Sequence, residues 1–440
     1  MAESSFEQWQ RSPADLALLS RWVSDMQQQS QQQSAIERLA PIAGEALEDK
    51  AAAGVYTALV TLELDLGHLQ QANEWVDRLD AVEQEIFRTP YFRGLILQQV
   101  DRLEEAKGYF LEAIKRDSNR GDSWKALVEC CAKTRDFQRA LSVIREAKRL
   151  SWTPEWRRVW YYKQGCIHQQ MADYALALVC FTEVVLDCAS HGIPDRTPRK
   201  AALSLVPPAA PRAALCDAIS LLEEQGLRPF PTAGTLLGWW REDKFLAHDK
   251  DIDIMLPPGS DWKKAITALV DAPAFDLVPN EMGYSNFQSL VHRETRLVVD
   301  LSQHEVGDGG KVQCVWRIPG LPHEQCRRTL QSGYRLVRDQ WLGCEFWRPE
   351  DPDRFLTDVY GDWRTPMIYF DTVISGHHLV GFPDSVRCYA YNRLANTLCE
   401  GNRDKGLAYV SQILQKDPLD PIANHLRNLQ TKREDDSGET

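Results

Sequence analysis

The sequence predicts two architectures in one chain: an α-solenoid of short helical repeats over residues 1–187, then an α+β domain. Three observations predict this. Alanines recur at 34-residue intervals, with apolar residues at fixed offsets behind each. Beyond about residue 212 the helical period gives way to short alternating strands separated by turns. Within that second half, Asp249-Lys250-Asp251-Ile252-Asp253-Ile254 sets acids alternately along a strand with apolar residues between them.

The repeat comes first in the chain. Ala72, Ala106 and Ala140 are each 34 residues apart. Four residues after each stands Val76, Phe110 or Ile144, and three further on Leu79, Ala113 or Ala147. Tyr56 with Leu59 and Trp124 with Leu127 occupy matching upstream offsets. A fourth copy follows with a three-residue slip, at Gly165, Ala177, Phe181 and Val184. Small residues at such positions let helices cross closely while the large ones fill the layer between repeats. The competing reading is a non-repeating bundle, but several offsets agree at once over two intervals. These residues resemble the tetratricopeptide pattern. Residues 1–50, with a glutamine run at 27–33, read as a degenerate leading cap.

Residues 188–212 read as a linker, because Gly192, Pro194, Pro198, Pro207, Pro208 and Pro211 interrupt any helix. The catalytic domain then spans 213–384. The repeat pattern returns over 385–430, where Gly401, Gly406, Val410, Ile413 and Pro418 predict one terminal helical hairpin. Residues 431–440 are charged and small and are expected to be a disordered tail.

Composition narrows the function. With 43% hydrophobic and 26% charged residues the chain can bury a core, which excludes a disordered protein. A net charge of −12 argues against binding nucleic acid through its phosphates. No stretch reaches the roughly 20 apolar residues that would cross a bilayer, so no transmembrane segment is expected. Eleven cysteines without a CxxC pair point to reduced thiols and a cytoplasmic location, including the inner face of the membrane.

Chemistry concentrates in residues 230–257. Ala233-Gly234-Thr235 opens a short helix whose N-terminal N–H groups can receive an anion. The acids follow. With a period of two, Asp249, Asp251 and Asp253 share one strand face, their Cα atoms roughly 6.5 to 7 Å apart, while Ile252 and Ile254 face the core. Carboxylates held this closely repel one another unless a hard cation lies between them. An EF-hand loop is excluded, since Ile254 and Ser260 stand where Gly and Glu are required; a chance acidic edge strand is the remaining alternative. Downstream, Thr295-Arg296-Leu297-Val298-Val299-Asp300-Leu301 reads as a buried strand. If it neighbours the first, Asp300 supplies a third carboxylate to a metal-assisted phosphoryl-transfer site.

The run from Gly234 to Ile254 resembles the signature of the LicD/fukutin family, whose catalytic domains have a nucleotidyltransferase-like fold. Phe355-Leu356, Tyr360-Gly361-Asp362-Trp363 and Pro366 resemble its closing element. One departure is Ala247-His248, where the family usually has Pro-Trp. The resemblance implies transfer of a phospho-alcohol (phosphocholine, ribitol phosphate or glycerol phosphate) from a CDP-linked alcohol donor to a glycan acceptor, with release of CMP. It implies Mg²⁺ or Mn²⁺ on Asp251, Asp253 and Asp300, with Asp300 as ligand or base. Gly234 and Thr235 would cradle the diphosphate, Arg241 would neutralise phosphate charge, and Asp249 would support from behind. The repeats imply a protein partner or self-association. A nucleotidyltransferase releasing pyrophosphate, and a scaffold with an inert transferase domain, are the alternatives.

Other groups read as structural. Cys314, His323, Cys326 and Cys344 do not have a standard zinc spacing. Residues 307–310 read as a hairpin turn, His377-His378 as packing, and Arg327, Arg328, Arg335 and Arg338 as a solvated basic face.

Overall fold

The computed structural model describes residues 2–13, 15–44, 49–82, 87–193, 209–246, 249–280 and 282–437. They fall into two compact units that divide between Ile167 and His168. The first unit is helical throughout its described residues: α1 (Ala2–Arg11), α2 (Leu16–Gln28), α3 (Gln32–Leu39), α4 (Asp49–Leu66), α5 (Leu69–Val82), α6 (Arg88–Gln99), α7 (Leu103–Arg116), α8 (Gly121–Lys133), α9 (Phe137–Ala147) and most of α10 (Pro154–Gln170).

The sequence period is also the backbone period. Two residues before α5, α7 and α9 stand Gly67, Asp101 and Arg135, each left-handed with φ of 75°, 60° and 57°. The same turn recurs before the helices Tyr174–His191 and Arg403–Lys416, at Ala172 (57°) and Gly401 (82°). The side chains repeat too. Ala72, Ala106, Ala140 and Ala177 are fully buried, as are Val76, Phe110, Ile144 and Phe181. Close approach is literal at Gly94, where a Cβ would lie 2.6 Å from Phe110 Cε1. Only two of the five left-handed turn residues are glycine, and a side chain there is strained. Arg135→Gly and Ala172→Gly are therefore each expected to stabilise the chain by about 0.5–1 kcal/mol. Thermal unfolding of both variants checks this, and a lowered midpoint in both would show that these turns carry no strain.

The second unit begins inside α10. It continues with α11 (Tyr174–His191), α12 (Ala209–Glu224), β1 (Phe230–Pro231), α13 (Ala233–Glu242), β2 (Asp251–Leu256), α14 (Trp262–Val270), β3 (Phe275–Leu277), β4 (Phe287–His292), β5 (Val298–Gln303), β6 (Glu305–Val306), β7 (Val312–Trp316), β8 (Arg327–Gln331), β9 (Leu336–Trp341), β10 (Cys344–Pro349), α15 (Pro352–Tyr360), α16 (Thr372–Ser375), α17 (Asp384–Cys399), α18 (Arg403–Lys416) and α19 (Pro421–Ser437). The central sheet runs β1-β2-β5-β4-β3, with β2 and β5 parallel and the other pairs antiparallel. One of its faces is the core: Ile252 and Ile254 on β2, Val299 and Leu301 on β5 and Leu290 on β4 are buried in one cluster with Leu215, Ile219 and Leu222 of α12. Three strands β6-β7-β8 and the hairpin β9-β10 flank it. Residues 307–310 form the turn between β6 and β7, with Gly309 and Gly310 left-handed.

The C-terminal helices also belong to this unit. α17 packs against α11, and Asn392 Nδ2 donates to Gln169 Oε1 at 2.7 Å. Gly406, Val410 and Ile413 are buried on α18, the positions the returning repeat pattern marks. Two expectations need adjustment. α11 reaches His191 and α12 starts at Ala209, so helix enters both ends of the expected 188–212 linker, whose proline-rich stretch 194–208 lies outside the described residues. α19 continues to Ser437, through residues expected as a tail, because Lys, Arg and Glu there are good helix formers.

Among the described residues one helix, α11, is long and apolar enough to cross a membrane, with a mean hydropathy of 1.3. Its apolarity is used within the second unit, where Tyr174, Ala177, Phe181, Val184 and Val185 are buried.

Candidate active site

The acids stand where two parallel strands meet in register. Asp253 on β2 pairs with Asp300 on β5, and Asp300 pairs in turn with Ser289 on β4. Residues paired across adjacent strands point to the same side. Asp253, Asp300 and Ser289 therefore make a polar row on the face opposite the Ile252–Val299–Leu290 core row. Ser289 Oγ donates to Asp300 Oδ1 at 2.6 Å. Asp249 lies before the strand, its backbone N–H donating to the Leu246 carbonyl at 3.0 Å. Even so, Asp249, Asp251 and Asp253 each offer an oxygen within 4.8 Å of the others. Periodicity put Asp249 on the strand, on the same face as Asp251 and Asp253, and the family resemblance gave it a supporting role; it lies before the strand and still joins the cluster.

The N-terminus of α13 closes over this cluster. The Gly234 N–H donates to Asp253 Oδ2 at 3.2 Å, and the Asp253 N–H donates to Thr235 Oγ1 at 2.9 Å. A Cβ on Gly234 would stand 2.3 Å from Asp249 Oδ2, so with any larger residue there the Asp249 carboxylate would have to shift. Ala233 has a left-handed φ of 41°, backbone strain located at the site itself. Thr235 is 1% exposed and its hydroxyl oxygen accepts from β2, so this side chain fixes the strand to the helix.

Burial raises the carboxyls of Asp253, Asp249 and Asp300. Burial first, then the charges of Asp251, Asp249 and Asp300, push Asp253 well above the usual carboxylate range, with the Gly234 N–H opposing. Asp249 is pushed up to about 7 by burial and by Asp251. Asp300 rises to about 6 through burial, against the Ser289 hydrogen bond. Among the described residues no lysine or arginine forms an ion pair with these acids. Oxygen donors this close, partly buried and without a cationic side chain among them, fit a hard divalent cation, and the cluster has the geometry to bind a metal.

The sign of the pH effect follows. Asp249 goes from its ordinary 3.8 to about 7 on folding, so the folded chain binds more protons and loses stability as pH rises between those values. In a chelator, Asp249→Asn should therefore gain stability over the unsubstituted chain from about pH 4 to about pH 7 and then level off. Urea unfolding across that range checks it; a constant difference would mean that folding does not raise the Asp249 carboxyl.

Arg241 is half-buried beside the site. Nη1 donates to the Trp363 carbonyl at 3.2 Å and Nη2 to Glu242 at 3.0 Å, while its buried Nε has no partner. It ties α13 to the segment after α15. Sequence reasoning gave no role to two other residues. Ser289 has no local signature, and only strand register brings it to Asp300. Tyr360, at the end of α15, is partly buried near the cluster: desolvation, then the charges of Asp253 and Asp249, raise its phenol well above its ordinary value, and Arg241 opposes them.

The remaining candidates do not join the site. Among the described residues the three aspartates are the only His, Cys, Asp or Glu group with metal-ligand spacing, and Cys314, His323, Cys326 and Cys344 are not gathered into one. The basic run also disperses: Arg335 pairs with Glu350 at 3.2 Å, Arg338 with Glu223 at 2.8 Å, and Arg327 stacks 3.7 Å over Trp316. Ala247-His248, the departure from the family pattern, lies outside the described residues.

A helix N-terminus thus stands over alternate acids on a strand, with a further acid on the parallel neighbour. Residues 226–304 match the family model for the LicD/FKTN/FKRP nucleotidyltransferase domain, so the chain carries a LicD domain on its second unit. No curated protein gives a significant match. Among solved structures, the chain is similar to a MamA RS-1 ArsTM double mutant at 16% identity and a TM-score of 0.31, over 41% of this chain and 97% of that one. It is similar also to YrrB, a TPR protein with an unusual peptide-binding site, at 16% identity and a TM-score of 0.29, over 43% of this chain and 95% of that one.

Proposed function

We propose that the chain is a metal-dependent phosphotransferase that moves a phospho-alcohol from a CDP-linked donor to a hydroxyl of a glycan acceptor, releasing CMP, with its catalytic domain over residues 213–384. The observation that carries this reading is the in-register row Asp253–Asp300–Ser289 beneath Gly234, in a domain matching the LicD family. Asp251 and Asp253 would hold Mg²⁺ or Mn²⁺, joined by Asp249 or Asp300, and the cation would supply charge neutralisation to the donor diphosphate.

The protein's own groups then have defined tasks. The free oxygen of Asp300 accepts the proton of the acceptor hydroxyl; a carboxyl near 6 is suited to that exchange at neutral pH, and Ser289 holds it in place. The hydroxyl oxygen bonds to the phosphorus distal to the nucleoside, and the bond to CMP breaks. A loose transition state asks for positioning and fixed charge more than covalent chemistry. Arg241 and Tyr360, on the rim towards residues 360–366, orient the donor. The reaction places the enzyme with the cytoplasmic pool of nucleotide-activated donors, and the repeats present a surface to a protein partner or a second copy.

Incubation with CDP-choline, CDP-ribitol and CDP-glycerol, each with Mg²⁺ or Mn²⁺ and with EDTA, tests the reading by CMP release, since slow attack by water reports the donor without an acceptor. CMP from one donor, lost in EDTA, is the expected result. Pyrophosphate from a nucleoside triphosphate would replace the proposal with a nucleotidyltransferase. Donor binding no tighter than in the Asp251→Ala/Asp253→Ala variant would leave a scaffold.

A further inference from the structure

Away from the acids, one face of α12 meets the turn of the β9–β10 hairpin through sulfur. Cys216 and Cys344 place their Sγ atoms 3.0 Å apart, one thiol donating to the other, although 128 residues separate them in the chain. Arg212, one helical turn before Cys216, reaches the same place: Nε donates to the Leu342 carbonyl at 2.8 Å and Nη2 to Cys344 Sγ at 3.3 Å. Both cysteines are only partly buried, so small reagents can reach them; Cys130, Cys131, Cys180, Cys188, Cys314, Cys326 and Cys388 are buried. Cys130 and Cys131 are neighbours within one helix and both buried, unlike this pair.

We propose that Cys216 and Cys344 are a site of reversible thiol oxidation, at which a low-molecular-weight disulfide converts the pair into an intramolecular disulfide. The chemistry balances in two exchanges. The Cys344 thiolate, its charge met by the Arg212 guanidinium, attacks one sulfur of the oxidant, forming a mixed disulfide and releasing one small thiolate. Cys216, deprotonated by that thiolate or by water, then attacks Cys344 Sγ and releases the second. Two protein thiols are oxidised and one small disulfide is reduced to two thiols. The Arg212 guanidinium contacts Cys344 Sγ, which marks Cys344 as the first to react and Cys216 as the resolving partner; burial and the neighbouring Cys344 push the Cys216 thiol up.

The bond would tie α12 to β10. α12 contacts β2 and β5, the strands that carry the acids, and β10 contacts β1 and α15, the helix that ends in Tyr360. The cross-link therefore joins the two sides of the catalytic unit, and closing so long a loop should raise its thermal midpoint.

Treatment of the full chain with oxidised glutathione, followed by alkylation and peptide mass mapping, tests the proposal. The expected result is the loss of two alkylatable thiols, one linked peptide pair containing Cys216 and Cys344, a raised unfolding midpoint, and reversal of all three by dithiothreitol. Cys216→Ser should stop at a single glutathione on Cys344, and Arg212→Gln should slow that first step several-fold. Full alkylation of both residues after oxidation, or a cross-link mapped to any other pair, would overturn it. Because the readouts are thiol chemistry and unfolding, the result stands apart from whether CMP is released.

Discussion

Asp253→Asn is expected to abolish metal-dependent CMP release while raising the thermal stability of the metal-free chain. The two effects have one cause. Asp253 lies between Asp251, Asp249 and Asp300, and burial together with those three charges opposes its ionisation. An amide of the same shape keeps the acceptor for the Gly234 N–H and removes the charge, so the fold loses a repulsion. The same change takes away a cation ligand. Loss of a fixed electrostatic group at a phosphoryl-transfer site lowers turnover by roughly 10²–10³-fold or more. Turnover and unfolding in chelator should thus move in opposite directions, as they do when a site is built at a cost to stability. A variant that is less active and also less stable would mean that Asp253 is a structural residue.

Gly234→Ala is expected to cost nearly as much activity with no change of charge. The added methyl would stand 2.3 Å from Asp249 Oδ2, and Asp253 Oδ2 holds the backbone N–H of the same residue, so the helix start cannot retreat without breaking that bond. Asp249 must swing out, and the oxygens that lie within 4.8 Å of one another separate. A misplacement of about 1 Å in such a site costs on the order of 10²-fold. Metal affinity read by calorimetry should fall with the rate. Gly94→Ala, which collides with Phe110 in the repeats, is the control: it should lower the unfolding midpoint and leave metal binding intact. Unchanged metal affinity in Gly234→Ala would mean that Asp249 does not belong to the cation site.

The legibility of the chain varied with the range of the interaction. Helical repeats were readable because each buried position is set by neighbours within about 34 residues: Ala106 and Phe110 belong to one helix, and Gly94 lies just before it. β2 was readable for a similar reason, since alternation alone sends Ile252 to the core and Asp253 away from it. Ser289 was not, because a serine on an alternating strand has a partner only once strand order and register are known. The bond between the Thr235 hydroxyl and the Asp253 N–H was hidden for the same cause, since only the tertiary fold brings that hydroxyl to β2.

By itself, then, the sequence determined the two architectures, the position of the alternate acids and the likeness of residues 234–254 to the LicD signature. The tertiary structure decided what those acids meet. It set β2 parallel to β5 so that Asp253 and Asp300 are neighbours, brought Asp249 out of its expected supporting place into the cluster, and placed Cys216 beside Cys344. The physical reason is chain distance. Periodicity is a property of consecutive residues, whereas a site is made of groups 47 residues apart, as Asp253 and Asp300 are, or 128 apart, as the two thiols are. Nothing local in the chain encodes the strand order that joins them.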